Sequence, residues 1–226
     1  SVDWLGRLVE TLSGKNLEEY FRERIFTPLG MSDTFYNVPD TKQARVVTVH
    51  QRHDGRADAP LTEQPNQPPH PATTFNGGGG LSSTANDYIR FEQMILNDGT
   101  LDGEQILSAD TIALMTRNQI GEVGVHAVKT AQPERSMDFT FVDDGKDKWG
   151  LGFLLTTRHV PGKRSAGSLS WGGINNTYFW IDRARGIAGV AMMQLLPFAD
   201  TRALAIYDTF ERGVYQLADA LPAPGP

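Results

Sequence analysis

The sequence predicts an α+β fold, an antiparallel sheet with flanking helices, and two observations carry that prediction. Apolar residues at helical spacing fill much of the first half and the last long segment, whereas residues 149–194 break into short β-rich runs at hairpin spacing. Helices and strands therefore occupy separate blocks instead of alternating as βαβ units would. With 226 residues and 39% hydrophobic content, the chain can bury a substantial core within one domain, placed at 1–220. Inside it, residues 1–118 read as mainly helical with a long loop at 38–71, and 149–216 as antiparallel strands and a terminal helix; 221–226 read as a loose tail.

Trp4, Leu5, Leu8, Val9 and Leu12 follow helical spacing from the first turn, and Ser13-Gly14 stops that helix. Asn16, with Glu19 three residues on, forms a capping box for the next helix, which carries Leu17, Tyr20, Phe21 and Ile25 on one face and closes at Pro28. The stretch from Val38 to Pro71 is polar, proline-rich and without periodicity, as a long irregular excursion would be. A glycine run, Gly77 to Gly80, then feeds a helix capped by Ser82 or Ser83, with Tyr88, Phe91, Ile95 and Leu96 on its buried face. The run lacks both a Gly-Lys-Ser/Thr ending and a G-x-G-x-x-G context, so it reads as a tight turn and close backbone approach, not as a phosphate cradle. A short helix from Ser108 should bury Ile112, Leu114 and Met115.

In the last third, Trp149–Leu155, Ser168–Gly173, Thr177–Asp182 and Ile187–Gln194 read as strands, the last two joined by Arg183-Ala184-Arg185-Gly186. Beyond Pro197, the spacing of Ala203, Ile206, Tyr207, Phe210 and Val214 marks a long amphipathic helix lying on that sheet.

Composition narrows the partners. A net charge of −6, with no Lys/Arg-rich run, argues against nucleic acid. No apolar run approaches the roughly 20 residues of a membrane span, and Ser1-Val2-Asp3-Trp4 has none of the regions of a signal peptide. The chain therefore reads as soluble, with the compartment, bacterial cytoplasm or periplasm, left open. The absence of cysteine excludes disulfides and thiolate metal sites.

Four segments in register carry a family resemblance: Phe26-Thr27-Pro28-Leu29-Gly30-Met31-Ser32-Asp33-Thr34, Gly77 to Ala85, Trp171-Gly172-Gly173, and Thr177-Tyr178-Phe179-Trp180-Ile181-Asp182. The chain resembles the serine β-lactamase-like superfamily, of the class C β-lactamase and family VIII carboxylesterase type, over nearly its whole length. That resemblance implies an acyl-enzyme mechanism built on a nucleophilic Ser-x-x-Lys motif, a tyrosine motif, and a third motif on a strand beside the active site. No serine here is followed three residues later by lysine, and the tyrosine motif is absent too. By the resemblance, the chain is expected to be the carboxyl-terminal part of such an enzyme. The nucleophile and general base are then expected from an amino-terminal half, missing or in a separate chain.

The resemblance further implies that the Ile174 backbone amide is an oxyanion donor, with Trp171, Gly172 and Gly173 lining the substrate and Asn175 a weaker candidate. Trp171 stands where the β-lactamases carry a lysine that holds a carboxylate. Tryptophan offers an apolar face and one N–H donor, so short-chain, uncharged esters are expected ahead of β-lactams. No cofactor is expected. The rival readings are a β-lactamase, a D-alanyl peptidase or a transacylase of the same fold, or a non-catalytic module; drift in such a module would be free to fill the two glycines.

The remaining polar residues read as surface. His50, His53, His70, His126 and His159 lack ligand spacing, and His50 and His53 read as part of a solvated turn. Asp143, Asp144 and Asp147 lack the glycine and terminal glutamate of a calcium loop. Asn175-Asn176 suits either substrate contact or a turn.

Overall fold

A computed structural model describes residues 2–52, 58–64, 71–140 and 145–221. The expectations placed on His53, His70, Asp143, Asp144, Pro65, Pro68, Pro69 and the 222–226 tail lie outside the described residues. The chain runs through α1 (Val2–Ser13), α2 (Leu17–Phe21), β1 (His50–Arg52), β2 (Leu61–Glu63), α3 (Ala85–Leu96), β3 (Thr100–Leu101), β4 (Glu104–Gln105) and α4 (Ala109–Met115). It continues through β5 (Lys148–Trp149), β6 (Leu154–Leu155), β7 (Leu169–Gly173), β8 (Thr177–Asp182), β9 (Ile187–Ala191), β10 (Leu195–Leu196) and α5 (Thr201–Ala220). The fold is α+β, as its sequence predicts. It divides into two compact units, Ser1–Val47 with Asn66–Ala109, and Thr48–Pro65 with Asp110–Pro226.

The first unit is mainly helical, with β3 and β4 paired as a two-stranded sheet. Asn16 and Glu19 form the capping box read from the sequence: the Asn16 side chain accepts from the Glu19 N–H at 2.9 Å, and the Glu19 carboxylate accepts from the Asn16 N–H at 3.2 Å. Helix α2 runs into a π-helical turn, Arg22–Phe26, that delivers Phe26, Leu29 and Met31 to the core. The buried Asp87 of α3 accepts from the Asp33 N–H at 2.7 Å and the Thr34 hydroxyl at 2.8 Å, pinning the loop that follows. The cap of α3 is Thr84, not Ser82 or Ser83, because its hydroxyl is the one that reaches the Asp87 N–H. Gly77 meets the expectation of close backbone approach, since a Cβ there would stand 2.5 Å from the Val2 carbonyl oxygen.

The second unit is built on a five-stranded antiparallel sheet in the order β5-β6-β7-β8-β9. Helix α5 lies on one face, where Tyr207 and Tyr215 pack against Tyr178 and Trp180 of β8. The Trp180 indole spreads over β9 at Gly189, where a Cβ would come within 2.3 Å of the ring. A smaller sheet, β10-β1-β2, pairs β1 in parallel with β10 and antiparallel with β2.

Several expectations are corrected. The 38–71 excursion is not structureless among its described residues: Asp40–Arg45 form a 3-10 helix, and β1 and β2 join a sheet. His50 consequently sits in a strand, its N–H bonded to the Gln194 carbonyl, and not in a solvated turn. Trp149–Leu155 is a hairpin, not one strand, because Gly152 at φ +90° turns the chain between β5 and β6. The run expected to end at Gln194 stops at Ala191, and the chain resumes as β10 in the smaller sheet. Leu114 is exposed, and in α3 the fully buried residues include Glu92 and Met94 as well as the expected Ile95.

Candidate active site

Strands β7 and β8 form a hairpin whose register sets Trp171 opposite Phe179, Gly172 opposite Tyr178 and Gly173 opposite Thr177. Side chains alternate along a strand. Position 172 therefore shares the α5 face with Tyr178, while Trp171 and Gly173 project to the other face. A three-residue loop, Ile174-Asn175-Asn176, closes the hairpin with Asn176 at φ +61° and its N–H bonded to the Gly173 carbonyl at 2.9 Å. Three-residue loops commonly end on such a left-handed residue, and asparagine tolerates it well.

Asn176 fixes this loop from beneath. Fully buried, it donates its side-chain amide to the Leu195 carbonyl at 2.7 Å and the Pro197 carbonyl at 2.8 Å. Its side-chain oxygen accepts from the Tyr178 hydroxyl at 2.6 Å and the Asp200 N–H at 3.2 Å. Burial pushes the Tyr178 phenol well above its ordinary value, so it stays a protonated donor. Asn175 is held as well, donating to the Gln194 side chain at 3.0 Å while its carbonyl accepts from the Leu195 N–H.

The two glycines differ in what they make room for. A Cβ on Gly172 would lie 2.8 Å from the Tyr178 ring and 3.2 Å from Phe198, so packing alone requires glycine there. At Gly173 it would meet, among the described residues, only Thr177, at 3.7 Å, which is ordinary contact. Among the described residues, neither close packing nor a positive φ accounts for glycine at 173. Beside that opening, Ile174 is half exposed at the loop's start, and Trp171 stands edge to face against Trp149, ring centroids 4.6 Å apart.

The structure therefore gathers Trp171, Gly172, Gly173, Ile174 and Asn175 on one hairpin tip. Sequence reasoning missed Trp149, whose contact with Trp171 crosses strand β6, and it left open which member of the Asn175-Asn176 pair serves the turn. An Asn-Asn pair closing two β-rich runs was the available signal. No group of three or more His, Asp or Glu side chains suited to a metal ion occurs among the described residues. Nor, among them, is any helix long and apolar enough to cross a membrane.

The sequence matches the Beta-lactamase family over residues 1–212. It is 29% identical to a lovastatin esterase of Penicillium rubens, over 95% of this chain and 54% of that protein. It is also 27% identical to a monacolin J acid methylbutanoyltransferase of Aspergillus terreus, over 95% of this chain and 52% of that one. Among solved structures, the unliganded simvastatin synthase of Aspergillus terreus superposes with a TM-score of 0.76 at 22% identity, over 97% of this chain and 54% of that chain. The chain thus spans about half the length of the relatives it matches.

Proposed function

This chain belongs to the Beta-lactamase family, and from that premise we propose that it supplies the oxyanion strand and part of the acyl pocket of a serine hydrolase or acyltransferase working through an acyl-enzyme. The nucleophilic serine, its lysine and the tyrosine come from a segment outside this chain, which has no Ser-x-x-Lys. In this reading serine attacks a short-chain ester, the alcohol leaves, and water or a second alcohol removes the acyl group. The Ile174 amide donates to the oxyanion, and Trp171 lines the acyl side as an apolar wall braced by Trp149. Asn175, tied to Gln194, holds the loop's shape and is the weakest candidate for substrate contact.

The observation that carries this reading is the open space at Gly173. A glycine that packing does not demand, directly before the half-exposed Ile174, leaves room for another group to approach the strand backbone. The names of the relatives, an esterase and a methylbutanoyltransferase, support acyl transfer with either water or an alcohol as acceptor. A β-lactamase is the second reading, and Trp171 in place of a carboxylate-binding cation weighs against it.

Two assays with p-nitrophenyl butyrate test the proposal. This chain alone should show only background hydrolysis; turnover by a preparation shown by mass spectrometry to hold no second chain would sink the claim that the nucleophile lies elsewhere. In an enzyme completed with the Ser-x-x-Lys segment, Gly173→Val should lower kcat by about a hundredfold or more, the scale of losing one oxyanion donor. Trp171→Ala should mostly raise KM. Since a side chain at 173 has room within the fold, a kcat within about twofold of the parent would remove Ile174 from the mechanism.

A further inference from the structure

Helix α1 holds its apolar stripe away from the rest of its unit. Its docked face is small and polar: Gly6 is buried, and a Cβ there would stand 2.8 Å from Leu17 and 3.1 Å from the Gly77 nitrogen. Glu10 accepts from the Leu17 N–H at 3.0 Å, and Asp3 accepts from the Gly78 N–H at 2.9 Å. The apolar side chains face outward, with Trp4 76% exposed, Leu12 78%, Leu5 61%, Val2 56% and Leu8 52%. A stripe this apolar on one helix marks a surface that something covers.

We propose that the α1 stripe is the docking surface for the complementary half of a β-lactamase-family enzyme, an apolar surface that completes the core around Trp4, Leu5, Leu8 and Leu12. This rests on the reading that a further segment carries the nucleophile. The argument for that occupant is length: the relatives match this chain almost end to end, yet about half of each has no counterpart here. Two other occupants fit less well. A second copy meeting through this stripe would use five side chains, against the 20–30 residues a side of a stable interface. An anionic membrane suits a basic amphipathic helix, whereas α1 carries Asp3 and Glu10 against Arg7, which is paired with Glu10, in a chain of net charge −6.

The test co-expresses the tagged 226-residue chain with the part of the Penicillium rubens lovastatin esterase that lies outside the matched region. The two pieces should co-purify one to one, and acrylamide quenching of tryptophan should fall, since Trp4 is the most exposed tryptophan of the chain. A Leu5→Lys/Leu8→Lys variant, altered at exposed positions, should keep its helical circular dichroism and bind at least tenfold more weakly. Failure of the parent pieces to associate, or a complex indifferent to the double substitution, would overturn the proposal. So would a homodimer of this chain dispersed by the same substitutions, or α1-dependent binding to vesicles of phosphatidylcholine and phosphatidylserine. Ester hydrolysis is read separately: a complex that forms through α1 but never turns over substrate sinks the acyl-transfer reading and leaves the docking surface standing.

Discussion

At the scale of single residues, two adjacent glycines separate packing from function. Gly172→Ala forces a methyl against the Tyr178 ring, 2.8 Å away, with Phe198 close behind. Overpacking of that kind costs about 1–3 kcal/mol. Gly173→Ala meets nothing closer than 3.7 Å among the described residues and has no positive φ to violate, so it should be neutral or gain up to about 1 kcal/mol from a less flexible unfolded chain. Urea denaturation of the two variants side by side checks this; equal losses would mean that Gly173 is also a packing residue and would weaken its place in the site. The sequence made the Trp-Gly-Gly stretch visible as a motif and gave no means of dividing its glycines. That division depends on which face each residue takes, and the face follows from pairing with Tyr178 and Thr177 on the next strand.

At the scale of elements, legibility tracked length and periodicity. Strand β8 and helix α5 were plain, because six residues of β-rich sequence and a long 3.6-residue repeat each leave an unambiguous pattern. Strands β1 and β2 were not: three residues carry no period, and the parallel partner of β1 is β10, near the other end of the chain. What holds that junction is Asp200, whose side chain caps α5 at the Arg202 and Ala203 N–H groups, 2.9 and 3.1 Å, and takes the Arg52 guanidinium at 2.7 Å. Arg52 and Asp200 are 3% and 0% exposed, so removing one leaves the other as a buried, uncompensated charge or cap. Asp200→Ala should therefore cost about 3–5 kcal/mol from the broken pair, together with about 1 kcal/mol from the lost cap. Asp200→Asn, which keeps an oxygen for the cap, should be milder. If denaturation curves of the two variants coincide, the cap contributes nothing measurable.

At the scale of the whole molecule, stability should depend on pH through a carboxyl group on the buried face of α3. Glu92 is fully buried, neither carboxyl oxygen has a hydrogen-bond partner among the described residues, and desolvation pushes its pKa up from the ordinary 4.5 to about 9. Glu92 lies on the same helical face as Tyr88, Phe91 and Ile95, so the burial of that face carries the carboxyl inward with them. The sign follows from proton binding. Below pH 4.5 both folded and unfolded chains hold the proton and the group is silent; between 4.5 and 9 only the folded chain keeps it, so stability falls as pH rises; above 9 the loss levels off. The slope is about 1.4 kcal/mol per pH unit, or on the order of 3 kcal/mol by neutral pH. Glu92→Gln, which cannot ionise, removes that slope while keeping shape and polarity. Urea melts of parent and variant at pH 5 and pH 8 should show the variant gaining on the parent by up to about 4 kcal/mol between the two conditions. Other titrating groups act on both proteins alike and cancel in the difference. Parallel pH profiles would mean that Glu92 is ionised in the folded chain, and the buried neutral acid would have to be abandoned.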